Sequence, residues 1–185
     1  FLPVLMDALA REAPGVKLLC VPVGTPTLRD DMASGRVDLA LGLLPQLQAG
    51  FYQQALFRQR YVALMNATHP LARHSTLSAA AYQRAAHVRV VAEGTGHGRV
   101  EDALAQLGLQ RDIQLTVPHY VALGHVLAST QLVATVPERF ADRAAAPFGL
   151  VARPLRLRLP DSTICQLWHE HQHRDPGHQW LRTQV

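Results

Sequence analysis

Regular alternation limits this chain's fold more than any single motif: short apolar runs alternate with helical stripes, and proline or glycine marks the joints. Leu2, Leu5, Met6 and Leu9 recur at helical spacing and stop at Ala13-Pro14-Gly15. Residues 16–23 read as a buried strand. Thr25-Pro26-Thr27 reads as the next helix start, with Asp30 and Asp31 near its positive end and Ser34-Gly35 as its stop. Residues 37–44 are nearly all apolar, as in a strand covered on both faces. Residues 51–65 follow as two extended stretches bent near Leu56, and Ser75 or Thr76 starts a short helix. Further strands are expected at 88–92, 113–117, 132–136 and 163–169, with 150–158 extended. The intervening helices are expected at 99–107, stopped by Gly108, at 121–129, from Pro137 to about Ala144, and at 176–182. Repeated strand–helix units imply an α/β fold with mostly parallel sheets. No tandem repeat or low-complexity linker interrupts them.

The 185 residues allow one or two lobes. With 48% hydrophobic residues the composition is that of a globular protein. No run of about 18 apolar residues is present, so no membrane span is expected. Phe1 opens an apolar stretch, but Asp7 interrupts it and no basic region precedes it, so no signal peptide is read. A net charge of +4 raises the question of a nucleic-acid partner. The arginines are scattered, often beside acids, and form no basic helix face. The densest patch, Arg153, Arg156 and Arg158, reads better as a solvated strand edge than as a phosphate track. Cys20 and Cys165 both lie in apolar runs. They are expected as buried thiols in a reduced, cytoplasmic protein.

The candidate chemistry is sparse. Gly94-Thr95-Gly96-His97-Gly98 lies between a strand and a helix, where free backbone N–H groups favour anions. It is neither a dinucleotide fingerprint nor a P-loop, so a plain turn and an anion contact both stay open. There is no G-x-S-x-G elbow, and Glu93 is the sole acid at an expected loop mouth, so no enzyme is read. His169, His171, His173 and His178 suggest zinc, yet no cysteine or carboxylate completes a typical ligand set. The run is better explained as a strand end and a turn, with Asp175 capping a helix, Pro176 at its first position, and Trp180 and Leu181 packing back. No metal or cofactor is expected. His119, in Pro118-His119-Tyr120, falls between a strand end and a helix start, where α/β proteins bind ligands. A purely structural role is equally open for it.

Several segments together carry a family resemblance. Ala13-Pro14-Gly15, the run from Met32 to Gly42, His69-Pro70-Leu71-Ala72 and Val133-Ala134-Thr135-Val136-Pro137 resemble the effector-binding domain of LysR-type transcriptional regulators. Gly42-Leu43-Leu44-Pro45, the run from Leu56 to Val62, Thr95-Gly96-His97-Gly98, Val117-Pro118-His119-Tyr120 and the histidine-rich tail narrow it. They look like the regulators of naphthalene, salicylate and nitroaromatic degradation, with nodulation regulators more distant. The resemblance covers essentially the whole chain. The family's N-terminal winged helix-turn-helix and the first strand of its effector domain have no counterpart in it.

The resemblance implies two Rossmann-like lobes like those of type 2 periplasmic binding proteins, residues 1–68 with 155–185 and residues 69–154. It implies a small aromatic effector in the interlobe cleft, such as a salicylate-like carboxylate. Phe1, Leu2, Thr25, Pro26, Leu43, Leu44 and Pro45 would line the cleft from one lobe. Thr95, Gly96, His97, His119 and Tyr120 would line it from the other, with Phe148 at the mouth. It also implies a homodimer through the helices at 2–11 and 121–129, a tetramer at full length, and DNA binding only through the N-terminal domain. A periplasmic-type solute-binding protein is the alternative with the same fold, and a small zinc hydrolase is the alternative built on the histidine run.

Overall fold

A computed structural model describes residues 2–22, 27–44, 49–91 and 97–185. Helices α1 (Leu2–Glu12) and α2 (Leu28–Ala33) precede strands β1 (Ala40–Gly42), β2 (Phe51–Gln59) and β3 (Tyr61–Asn66). A 3-10 turn (Pro70–Arg73), α3 (Ala79–Gln83), β4 (Ala86–Val90), α4 (His97–Gln106) and β5 (Asp112–Val117) follow. Next come α5 (Leu123–Ala128), β6 (Val133–Pro137), α6 (Glu138–Phe148) and β7 (Leu150–Pro154). The last elements are β8 (Ser162–His169), a 3-10 turn (Glu170–Gln172) and α7 (Pro176–Gln184). The chain divides into two compact units, Phe1–Leu56 with Ile164–Val185, and Phe57–Thr163. It therefore changes unit within β2 and again within β8.

Among the described residues the strands form two sheets, ordered β1-β8-β2 and β5-β4-β6-β3-β7. β4 runs parallel to β5 and β6, whereas β3 is antiparallel to both β6 and β7, and β1 is antiparallel to β8. The sheets are thus mixed, which corrects the expectation of mostly parallel ones. The physical reason lies in the connections. Helical crossovers join β4 to β5, β5 to β6 and β6 to β7, and such crossovers keep strands parallel. No crossover joins β3 to the strand before it, β2, and β3 runs the other way.

The second unit is a three-layer sandwich, and strand parity shows it. Val62 and Leu64 of β3 pack with Val88, Leu123, Leu127, Val136 and Ala141, beneath α5 and α6. Ala63 and Met65 face the other way and pack with Leu77, Tyr82, Val100 and Leu104, beneath α3 and α4. Alternate residues of a strand point to opposite faces, so one apolar run serves two cores. In the first unit Leu28 and Met32 of α2 pack on Ala40, Leu167 and Trp168.

Several joints behave as read. Asp175 caps α7 by accepting the His178 N–H at 2.7 Å, and Pro176 takes the first helical position. Gly35 and Gly108 adopt positive φ (73° and 67°) just beyond α2 and α4. His69 starts the 3-10 turn, its Nδ1 accepting the Leu71 N–H at 3.0 Å.

Other elements differ from expectation. Residues 16–22 form no strand, and Leu19 is 88% exposed. Among the described strands none pairs with this segment, and β1 ends its sheet. Cys20 is accordingly exposed, while Cys165 is buried as expected. The run at 37–44 is strand only over Ala40–Gly42. The break between β2 and β3 falls at Arg60, not near Leu56. There the Arg60 carbonyl points out of the ladder: the buried Gln59 amide Nε2 and the Glu138 N–H both donate to it at 2.9 Å. α3 starts three residues late because Ser78, not Ser75 or Thr76, accepts an N–H, that of Ala81, at 3.3 Å. α6 continues past Ala144 to Phe148 and ends at Gly149, whose φ is 62°.

Candidate functional site

The second unit contains a reversal of winding. β4 lies between β5 and β6 and is parallel to both. α4, which leads from β4 to β5, packs on one face, and α5, which leads from β5 to β6, packs on the other. The helices that follow β4 and β6, α4 and α6, therefore pack on opposite faces, and such reversals are where α/β proteins bind ligands. Val90 pairs with Val117, and the Val91 N–H donates to the Val117 carbonyl at 2.9 Å, so β4 and β5 end level. Residues 118–122, which follow β5, leave the sheet at this edge.

Three of the sequence-predicted residues sit at this edge. His97 opens α4, and its backbone alone is described. His119 is exposed in the loop after β5, with no hydrogen bond to its ring among the described residues. Tyr120 beside it is half-buried; its ring packs on Phe140 of α6 with centroids 5.0 Å apart, and its carbonyl accepts the Leu123 N–H at 3.1 Å. Phe148 lies elsewhere in the same unit, at the end of α6, with its ring against Gly124 and edge-on to His125 at 4.7 Å. Leu2, Leu43 and Leu44 belong to the first unit. Leu2 is exposed on α1, Leu43 is half-buried, and Leu44 packs against the α2–β1–β8 core. Phe1, Thr25, Pro26, Pro45, Thr95 and Gly96 lie outside the described residues.

The edge offers an exposed imidazole beside a half-buried aromatic ring. An imidazole N–H can donate to an acid group, and a ring flank can hold a flat apolar ligand.

The histidine-rich tail is used differently. His169 Nδ1 accepts the His171 N–H at 3.4 Å, and His173 Nδ1 accepts the Trp168 Nε1–H at 3.2 Å. The His173 ring stacks on Tyr52 at 3.9 Å. His178 bonds the Asp38 carbonyl through Nε2 at 2.8 Å and faces Arg182 through Nδ1. Among the described residues no group of three metal-ligating side chains converges. A groove of about 650 Å³ beside this tail is lined by Ala13, Val16, Trp180 and Leu181, with no predicted ligand contact in it. Of the arginine patch, Arg153 binds the Ala72 carbonyl through Nε and Nη2 at 3.0 and 2.6 Å, which gives it a structural role.

Sequence reasoning missed a buried polar network under α3 and α4. Tyr82 and His87 are both fully buried. The Tyr82 hydroxyl meets Thr135 Oγ1 at 2.5 Å and receives Arg111 Nη1–H at 3.2 Å, and Arg111 pairs with Glu101 of α4. His87 Nε2 donates to the Tyr82 carbonyl at 2.8 Å. Burial holds the His87 pKa below its ordinary value and the Tyr82 pKa above its own. Burial also acts to lower the Arg111 pKa, but Tyr82 and Glu101 more than offset it. The one signal available was a histidine inside an apolar strand.

Comparison with known proteins settles the family. A model described as the LysR substrate binding domain matches residues 1–185. An HTH-type transcriptional activator of Ralstonia sp., NagR, is 48% identical over 182 residues, 98% of this chain and 60% of that protein. NahR of Pseudomonas putida, also named an HTH-type transcriptional activator, is 44% identical with the same coverage. The chain thus spans 60% of the length of these curated relatives. Among solved structures, the regulatory domain of MexT, a transcriptional activator in Pseudomonas aeruginosa, superposes with a TM-score of 0.83 at 28% identity, covering 99% of this chain and 90% of that one. Matched along its whole length and close to two named activators, the chain belongs to the LysR substrate binding domain family, the effector-binding part of LysR-type transcriptional regulators.

Proposed function

We propose that this domain senses an inducer, and that the inducer is a small aromatic compound, a salicylate-like carboxylate in the first instance. The observation that carries the reading is the exposed His119 imidazole beside the half-buried Tyr120 ring, at the level carboxyl ends of β4 and β5. An aromatic acid needs both features, a ring surface and a donor to its carboxylate. The similarity to NagR and NahR, both named transcriptional activators, supports the sensing role.

In this reading the effector lies between the family's two lobes, residues 1–68 with 155–185 and residues 69–154. Phe1, Leu2, Thr25, Pro26, Leu43, Leu44 and Pro45 contribute from the first. Thr95, Gly96, His97, His119, Tyr120 and Phe148 contribute from the second. The bound ligand changes the DNA-bound state by favouring one arrangement of lobes or subunits over another. Subunits pair through α1, whose Leu2, Val4 and Met6 are exposed, and through α5, preceded by Val121 at 87% exposure. DNA contact is assigned to a helix-turn-helix region of a longer, cytoplasmic regulator that assembles as a tetramer.

A thermal-shift panel of aromatic acids, phenols and nitroaromatics tests this. At least one salicylate-like acid is expected to raise the melting temperature, and His119→Ala to reduce that shift. No response to any compound would remove the effector class.

A further inference from the structure

Beyond the carboxyl end of β6, the second unit has a groove of about 550 Å³ between α6 and the break that separates β2 from β3. Four arginines line it, Arg58 and Arg60 from the break and Arg139 and Arg143 from α6. Two acids, Glu138 and Asp142, share it. All six are exposed, and among the described residues no ion pair joins any of them.

Two features pre-form this groove. The Arg60 backbone is held by its carbonyl, which accepts both the Gln59 amide and the Glu138 N–H at 2.9 Å. Gln59, 6% exposed, also lines the groove. The Arg139 guanidinium lies 3.9 Å above the centroid of the Phe57 ring. Stacking on a ring holds a guanidinium in place without neutralising it, and leaves the in-plane N–H donors free for an oxyanion. Arg143 stands one helical turn further on, on the same side of α6.

We infer that this groove is a second ligand site, for a small multivalent oxyanion of the phosphate class. Two considerations select that occupant. Four guanidinium groups against two carboxylates leave an excess of two positive charges, more than a monocarboxylate neutralises. The volume suits a small molecule, and the patch is compact where a duplex would need a long basic stripe. The site is separate from the proposed effector contacts, none of which lines the groove.

The test is calorimetric titration of the intact protein with sodium pyrophosphate at constant ionic strength. The result expected is one saturable site, weakened by about tenfold or more in the double variant Arg139→Gln/Arg143→Gln. Glu138→Gln, which removes a negative charge at an exposed position, should tighten binding and guards against a folding artefact. Unchanged affinity in the double variant would overturn the proposal, as would absence of saturable binding. Displacement of pyrophosphate by duplex DNA with the same arginine dependence would overturn the small-anion reading in favour of a polyanion.

Discussion

A Cβ on Gly124 would come within 2.5 Å of the Cδ2 and Cε2 atoms of Phe148. Glycine is therefore required on α5 for close approach, since nothing about its backbone demands it. Alanine would favour the helix by about 1 kcal/mol, but the overlap with a half-buried ring works against it. Gly124→Ala should lower stability by about 1–3 kcal/mol in urea denaturation, and Phe148→Leu in the same chain should recover part of the loss. At His87 the issue is charge. Burial lowers its pKa in the folded protein, and Tyr82, Arg111 and Asp112 are the titratable groups around it. The unfolded chain then binds protons first as pH falls below the ordinary histidine value of about 6.5. Stability is complete above that pH and declines below it, down to the lowered folded pKa. His69 acts in the same direction, since burial lowers its pKa too and its Nδ1 must stay unprotonated to accept the Leu71 N–H. Urea midpoints at pH 7.5 and pH 5 should differ less in His87→Gln than in the parent. An identical difference would show that His87 does not carry the dependence.

At the scale of elements, the readable segments were those whose ends announce themselves. α7 follows from an aspartate and a proline, which act as the pattern requires, whereas Trp180 and Leu181 stay half-buried beside a groove and His178 is the residue the helix buries. Asp175→Ala removes the acceptor for the His178 N–H and should cost about 1 kcal/mol by thermal denaturation. β5, β6 and β8 were equally legible, β5 by its polar–apolar alternation and β6 and β8 as short, largely apolar runs between turns. Residues 16–22 were not, because an apolar run specifies a strand only if a neighbour supplies a ladder. The β2–β3 break was hidden as well. It depends on the Gln59 amide and on a backbone bond to Glu138, far along the chain. The sequence placed His97, His119 and Tyr120 at strand–helix junctions, and the fold brings those junctions to one sheet edge. The Tyr82–Thr135–Arg111–Glu101 network has no sequence spacing to betray it. Its members come from α3, β6, α4 and the start of β5, and only the packed sandwich unites them.

For the whole molecule, two units and a family membership frame the function. The second unit supplies a winding reversal, and in the proposed effector reading an aromatic acid lies against the Tyr120 ring and the His119 imidazole at the carboxyl edge of the same sheet. Ligand binding can alter a regulator only through a difference in affinity between its states, so a measurable effector affinity is the central requirement. Calorimetric titration of salicylate into the intact protein tests it most directly. One saturable site per chain is expected, with affinity lowered by about tenfold in His119→Ala, as for a lost hydrogen bond to a charged group. No saturable heat with salicylate, or equal affinity in parent and variant, would contradict it.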